Sequence, residues 1–334
     1  MDLKEFAYDL PHNLIAQYPL ARRDQARLMV INRADKTIRH DYFYNIGRYL
    51  PQQSVIVINN SKVIPARLLG RREKTGGQVE VFLLKQVDDY SFETLLRPLK
   101  KIRIDETLDF GHGIKAALKN FEKRLVRFNR KNILKHLAKI GHMPLPPYIK
   151  RADEKRDHKE YQTVYARHAG SVASPTAGLH FTKPLLAKLK RSGHTITPVT
   201  LHVNLGTFKP VEVQDIRDHK MHEEEYSLAS QVFQTIKNVR KAGRKIVCVG
   251  TTSCRVVEAA SKSDSVKGAT NIFIYPGVSF QMTDILVTNF HLPHSTLLML
   301  VYAFGGVDLM RRAYAEAIKE KYRFYSYGDA MVII

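Results

Sequence analysis

The sequence predicts an α/β main domain, built on a Rossmann-like sheet or an open barrel, with a small antiparallel β-barrel domain inserted into it. Three observations carry this expectation. Short continuous apolar runs at residues 55–58, 245–249 and 285–288 have the pattern of strands buried on both faces, and amphipathic stretches of helical period stand among the later ones. Between 67 and 149 the texture changes to short strands separated by turn signals. After a charged linker at 150–160 the α/β pattern resumes. The expected division is therefore a main domain over 1–66 and 150–334 and an inserted barrel over 67–149.

The chain has 334 residues, enough for one or two domains with a full core. Lys and Arg number 53 against 32 Asp and Glu, a net charge of +21. That balance points to a polyanionic partner, nucleic acid before membrane, or to a merely basic soluble protein. Two cysteines, Cys248 and Cys254, cannot build a disulfide framework and suit a reducing compartment. The first residues mix charges and lack the apolar core of a signal peptide, and the longest apolar run, 297–304, is too short to span a bilayer. A cytoplasmic location is expected.

In chain order, Leu10-Pro11 and Tyr18-Pro19 keep the start extended, and Arg22, Arg23, Asp24 and Arg27 precede a strand at 28–32. The strand at 55–58 ends in Asn59-Asn60-Ser61-Lys62, a polar tip that is either a wall of a site beyond a strand end or an Asn-rich turn. In the inserted block, Gly76-Gly77 separates strands at 67–71 and 78–85, and 92–96, 100–104 and 121–128 continue as short strands. A helix at 132–140 and the extended MPLPPYI close it. This block holds much of the basic excess, Lys100, Lys101 and Arg103 included.

The densest stretch, 170–211, begins GSVASPTAGLHFT, packing Ser171, Ser174, Thr176, Gly178, His180 and Thr182 into a few positions. Such a run fills a core poorly and wraps a polar small molecule well; as a small-residue turn it would be structural only. Thr182 fits an N-cap, Pro184 the first turn and Gly193 the end of the next helix. Val199, Leu201, Val203 and Leu205 then alternate with polar residues, which puts His202 and Asn204 on one side of a strand, with Gly206 and Thr207 in a turn. His219 and His222 with three following carboxylates allow a metal site, a base, a substrate contact or a solvated turn. A helix with Val232, Phe233, Ile236 and Val239 on one face ends at Gly243. The strand at 245–249 runs into Gly250-Thr251-Thr252-Ser253 and a helix carrying Arg255 and Glu258; free N–H groups there suit an anion, or a threonine simply caps the helix. Strands at 271–274 and 285–288 lead to Tyr275 and to Asn289-Phe290-His291. Ser295 and Asp308 are expected caps for the last two helices, and the aromatic run YRFYSYGDAM either stacks on bases or fills core.

No G-x-G-x-x-G follows a strand, no G-x-S-x-G occurs in the small-residue run, and no Walker A loop opens the helix after 249. Two classes remain: an enzyme that modifies RNA, and a non-catalytic basic RNA-binding protein. The second accounts for the charge but not for repeated His, Asn and Thr at strand ends.

GSVASPTAGLHFT, TLHVNLGTFKPV, GTTSCRVVEAA, TNFHLPHSTLLMLV and YRFYSYGDAM, with YDLPHNLIAQYPLARRDQARLMV and VIVINNSKVIPARLLG near the start, closely resemble the S-adenosylmethionine:tRNA ribosyltransferase-isomerase family of the queuosine pathway. Ser174 departs where alanine is expected and Asn204 where glycine is expected. The resemblance implies transfer and isomerisation of the ribosyl part of S-adenosylmethionine onto 7-aminomethyl-7-deazaguanine at the wobble position of a tRNA with a GUN anticodon. Adenine and methionine would leave and epoxyqueuosine result, with no metal or cofactor beyond S-adenosylmethionine as co-substrate and with a monomer favoured. Histidine titrates near working pH, so His180, His202 and His222 are the base or acid candidates. Substrate contacts are expected from Asp24 and Arg27 as a carboxylate–guanidinium pair, from Asn60, Ser61, Lys62, Thr176, Gly178 and Thr207, and from Tyr275, Asn289 and His291. Thr251, Thr252 and Arg255 are expected to hold the methionine carboxylate, and Lys100, Lys101 and Arg103 to meet RNA phosphates.

Overall fold

The structure is a computed structural model that describes residues 1–204 and 211–334. The expectations on Leu205, Gly206 and Thr207 lie outside the described residues. The chain divides into two compact units: Met1–Lys62 with Pro146–Arg151 and Glu160–Ile334, and Val63–Leu145 with Ala152–Lys159. Residues 146–149, expected in the inserted block, group with the first unit, where the Tyr148 hydroxyl bonds Ser326 Oγ at 2.6 Å.

The strands are β1 (Arg27–Ile31), β2 (Ile38–Tyr42), β3 (Val55–Asn59), β4 (Ser61–Val63), β5 (Arg67–Arg72), β6 (Gln78–Gln86), β7 (Ser91–Arg97), β8 (Thr107–Asp109), β9 (Lys115–Asn120), β10 (Leu125–Phe128), β11 (Gly141–His142), β12 (His168–Ser171), β13 (Thr195–Leu201), β14 (Glu224–Ser227), β15 (Ile246–Val249), β16 (Lys267–Thr270), β17 (Ile285–Asn289) and β18 (Ala330–Ile333). The helices are α1 (Leu137–Ile140), α2 (Asp157–Glu160), α3 (Lys183–Arg191), α4 (Ser230–Lys241), α5 (Gly250–Ser263), α6 (Thr296–Gly305) and α7 (Val307–Lys319).

The first unit is built on a nine-stranded sheet in the order β16-β14-β13-β3-β15-β17-β18-β1-β2. Its centre, β13-β3-β15-β17, is parallel, while β17 and β18 pair antiparallel, so the α/β class holds in a mixed sheet. The apolar runs are continuous because both faces are covered. Val55, Val57, Cys248, Leu286, Met331 and Ile333 join the core that includes residues of α4 to α7, whereas Ile56, Ile58, Val247, Val249, Val287 and Val332 join the core that includes Leu185 and Leu189 of α3. The parallel strands end on one edge of the sheet, the edge at which open α/β proteins hold ligands.

The second unit holds an antiparallel sheet in the order β11-β5-β6-β7-β10-β9-β8, in which β5 also pairs with β8. The strand expected at 100–104 is a 3₁₀ turn, Leu99–Lys101, followed by extended chain. The strand expected at 121–128 is the second arm of a β9–β10 hairpin: Asn120 Oδ1 accepts from the Lys123 N–H at 2.8 Å and Arg124 has φ of +48°, which turns the chain first.

Other boundaries follow local chemistry. Thr182 Oγ1 accepts from the Leu185 N–H at 3.2 Å, Pro184 stands in the first turn, and Gly193 takes φ of +86° beyond the end of α3. Ser295 caps α6 in the same way, but α7 begins after Gly306, with Asp308 in its first turn. The helix expected at 132–140 is a 3₁₀ turn, Ile133–His136, continued by α1. The strand expected at 271–274 lies earlier, as β16 against β14, and Thr270 Oγ1 ends it by accepting from the Ile272 N–H at 3.2 Å. β13 stops at Leu201, so His202 and Asn204 lie beyond it, where the Val203 N–H bonds Ser171 Oγ at 3.0 Å and the Asn204 N–H bonds Glu224 Oε1 at 3.1 Å. The terminal aromatics are core: Tyr322, Phe324, Tyr325 and Tyr327 are all buried.

Candidate active site

A cleft with about 660 Å³ of empty space, open solvent included, lies in the first unit beyond the ends of β13, β15 and β17. Three strand-end segments build it: the chain at Val203, the Gly250-Thr251-Thr252 start of α5, and the run from Thr288 to Leu292. Ser174 to Ala177 form a further wall, and Tyr148, Tyr325 and Ser326 close the last side.

The α5 start is shaped for an acceptor. Gly250 has φ of +86°, which turns β15 into the helix at once, and the first helical N–H groups have no carbonyl one turn earlier to bond. The macrodipole adds positive potential at that end. Thr252 Oγ1 and Ser174 Oγ line the cleft, are buried and have no hydrogen-bond partner among the described residues. Buried hydroxyls are nearly always satisfied, so two orphans facing one cavity imply a polar ligand.

Asn289 is a strut rather than a free contact. Its Nδ2 donates to the Tyr325 carbonyl at 2.9 Å, so the Oδ1, 3.3 Å from His180 Nε2, accepts from that ring. His180 is buried beside Phe43 and lines a smaller neighbouring cavity with Arg23 and Glu160. Burial pushes its pKa down to about 4, against the hydrogen bond it donates to Asn289. His291 lines the main cleft, its Nε2 2.8 Å from Thr288 Oγ1, and burial pushes it down to about 3. Both imidazoles are neutral at pH 7.

Of the residues singled out in the sequence, the cleft brings together Thr176, Thr251, Thr252, Asn289 and His291. The others stand elsewhere. Gly178 has Thr163 and the Tyr165 hydroxyl where a side chain would go, a packing role. Asn60 Oδ1 accepts from Thr200 Oγ1 at 2.7 Å, the buried Ser61 donates its N–H to Asn59 Oδ1, and Lys62 is exposed. The expected Asp24–Arg27 pair is not formed: Asp24 faces Arg22 Nε at 3.8 Å and Thr182 Oγ1 at 3.3 Å, while the Arg27 guanidinium covers the Tyr322 ring at 3.8 Å and donates to the Glu320 carbonyl. Tyr275 packs against Phe273. Arg255 is buried and paired with Glu224.

His202 is half-buried against Gly170, with its Nδ1 unpartnered among the described residues and its pKa lowered by burial despite nearby Glu225. His222 is exposed, and His219 packs on Phe273. Among the described residues no group of three His, Cys, Asp or Glu gathers to hold a metal ion. Lys100, Lys101 and Arg103 are exposed on the second unit. No helix among the described residues is long and apolar enough to cross a membrane.

The residues that sequence reasoning left off the site are Ser174, Thr288, Tyr148, Tyr325 and Ser326. Ser174 was visible in the small-residue run; Tyr148 and Ser326 carry no local signal, being 178 positions apart.

A family model described as queuosine biosynthesis protein matches residues 3–333. The S-adenosylmethionine:tRNA ribosyltransferase-isomerases of Sulfurihydrogenibium sp. and Symbiobacterium thermophilum are 50% and 49% identical to this chain over the full length of both chains in each comparison. The crystal structure of S-adenosylmethionine tRNA ribosyltransferase from Thermotoga maritima is similar over 99% of this chain and 100% of its own, with a TM-score of 0.58 and 34% identity. With nearly every residue matched by the model and full-length relatives at half identity, this chain belongs to the queuosine biosynthesis protein family.

Proposed function

We propose that the protein is an S-adenosylmethionine-dependent tRNA ribosyltransferase-isomerase. It transfers and isomerises the ribosyl moiety of S-adenosylmethionine onto 7-aminomethyl-7-deazaguanine at the wobble position of a tRNA with a GUN anticodon. Epoxyqueuosine forms, and adenine and methionine leave. Family membership supports the reaction. The observation that carries the site is the pair of unpartnered buried hydroxyls, Ser174 and Thr252, facing one cleft at a helix start.

In this reading the methionine carboxylate lies at the first turn of α5, against Thr251 and Thr252. Arg255 stands four residues after Thr251 on the same helix face, and its Nε and Nη2 have no partner among the described residues, so it supplies a second contact. Tyr148, Phe290 and Tyr325 offer aromatic faces to the sulfonium cation or to adenine.

The chemistry needs a base for the acidic proton beside the sulfonium, a proton for departing adenine, and the free amine of the modified base as nucleophile. His180, tied to the cleft wall through Asn289, His202 and His222 are the residues proposed to move these protons. The sulfonium carries its own activation, so S-adenosylmethionine serves as co-substrate. The wobble base lies in a single-stranded loop and enters without melting a duplex. The second unit acts as an inserted antiparallel barrel whose Lys100, Lys101 and Arg103 meet phosphates, and the enzyme works as a cytoplasmic monomer.

Incubation with S-adenosylmethionine and tRNA bearing the aminomethyl base should release adenine and methionine together; release of S-adenosylhomocysteine would overturn the reading. Single His180→Ala, His202→Ala and His222→Ala variants should each lose roughly 10²–10⁴-fold in turnover if the residue moves a proton.

A further inference from the structure

The C-terminal aromatics are buried, so if aromatic side chains stack on RNA bases they must come from elsewhere on the surface. Among the described residues of the first unit the exposed large aromatics are Tyr18, Tyr42 and Tyr44. The Tyr18 ring is already covered by the Arg151 guanidinium, 4.3 Å from its centroid. Tyr42 and Tyr44 stack on each other instead, with centroids 5.6 Å apart and planes only 4° from parallel. They remain 48% and 40% exposed, and no other described ring or cation covers them.

The segment beneath them is held rigidly. Asp41, on the edge strand β2, accepts from the Asn45 amide at 2.8 Å, from the Tyr49 hydroxyl at 2.6 Å and from the Tyr42 N–H at 2.7 Å. Burial opposes its ionisation, but these hydrogen bonds hold its carboxyl below the ordinary range. The 3₁₀ turn Phe43–Arg48 packs closely on α3, where a side chain at Gly47 would meet Leu189 Cδ2 at 3.1 Å. Between turn and helix runs a groove enclosing about 520 Å³, bordered by Tyr44, Asn45, Arg48, Lys188 and Ser192 and by no carboxylate. Arg48 and Lys188 are exposed, and neither makes an ion pair among the described residues.

We infer that Tyr42 and Tyr44 form a stacking platform for an unpaired base of the tRNA, with Arg48 and Lys188 receiving the neighbouring phosphates in the groove. The combination is what single-stranded RNA asks for: a planar face that any base can use, beside cations that follow the backbone. The net charge of +21 favours such a polyanion over an acidic or apolar protein surface. Rings stacked before binding lose little freedom when a base adds to the outer face. The inference rests on tRNA being the substrate and adds a contact surface on the main domain, separate from the cleft and from Lys100, Lys101 and Arg103.

The test compares tRNA binding by the full-length wild type, Tyr42→Ala/Tyr44→Ala, Tyr42→Phe/Tyr44→Phe and Arg48→Gln/Lys188→Gln. The alanine pair should weaken tRNA binding roughly 10-fold or more, the loss of one or two stacked bases. The phenylalanine pair should stay within about twofold, because stacking needs the ring and not the hydroxyl. The glutamine pair should lower the slope of log K against log salt by roughly 1.5, as expected for two phosphate contacts to a largely single-stranded segment. Tm and S-adenosylmethionine affinity should be unchanged in all three. A wild type that binds and modifies tRNA alongside an alanine pair of equal affinity overturns the platform alone. A phenylalanine pair as weak as the alanine pair also overturns it, since the loss would then lie in the hydroxyls. A wild type that binds no tRNA overturns both the platform and the proposed reaction.

Discussion

Arg255 Nη1 and a carboxylate oxygen of Glu224 form an ion pair whose two side chains are only 4% and 3% exposed, joining α5 to β14 beside the loop that leaves β13. Glu224 Oε1 also accepts the Asn204 N–H at 3.1 Å, so one carboxylate fixes both the helix and the chain after His202. Removing one member of a buried pair strands the other charge, which costs about 3–5 kcal/mol. Glu224→Gln and Arg255→Met should each therefore lower Tm by several degrees in thermal denaturation. The double variant should recover part of that loss, and a double variant as unstable as the sum of the singles would show that the two side chains act independently.

Ser174→Ala and Thr252→Val remove hydroxyls that bond nothing among the described residues. Stability should hold or rise slightly, because each change deletes an unsatisfied buried group. The KM for S-adenosylmethionine should rise about 3- to 10-fold for each, the worth of one hydrogen bond. Steady-state kinetics with tRNA held saturating separates this from a defect in tRNA binding.

Two of the buried histidines, His180 and His291, give the stability a pH dependence. Burial lowers His180 to about 4 and His291 to about 3, against an ordinary value of 6.5. Their folded-state values are depressed, so the unfolded chain binds more protons between these limits. The stability they hold is fully present above about pH 6.5 and is lost as pH falls toward 4 and then 3, amounting to roughly 3 kcal/mol for His180 alone. Urea denaturation from pH 7 to pH 4 should show falling stability, and His180→Gln should remove about one proton from that dependence.

The Lys100, Lys101 and Arg103 side chains are exposed, and the Glu106 carboxylate that accepts the Arg103 N–H is taken up by Arg72 Nε at 2.7 Å. Their joint neutralisation should weaken tRNA binding and lower the slope of log K against log salt by roughly 2–3. Affinity for S-adenosylmethionine should stay within about twofold, since none of the three side chains lines the cleft. An unchanged slope would leave RNA docking to other surfaces, the tyrosine platform first.

Much of this protein was legible before any coordinate. The strands over 55–58 and 285–288 announced themselves because a strand covered on both faces must be apolar at every position, and β3 and β17 are buried throughout. The caps of α3 and α6 could be read because a hydroxyl and the N–H three residues on are neighbours along the chain. Thr251, Thr252, Asn289 and His291 were findable for a related reason: each stands in a polar run at the end of an apolar one, and parallel strands bring such ends to one edge, while Thr176 stood in the small-residue run. Tertiary structure alone decided what each polar group does there. Asn60 is bonded by Thr200, 140 residues away, Arg255 is anchored through one nitrogen by Glu224, and His180 is held by Asn289 across 109 residues. Spacing in sequence reports the period of a strand or helix. It carries no record of which distant strand lies alongside, and a buried polar group takes whichever partner the sheet order brings within about 3 Å, because leaving it unpaired costs more than the bond itself contributes.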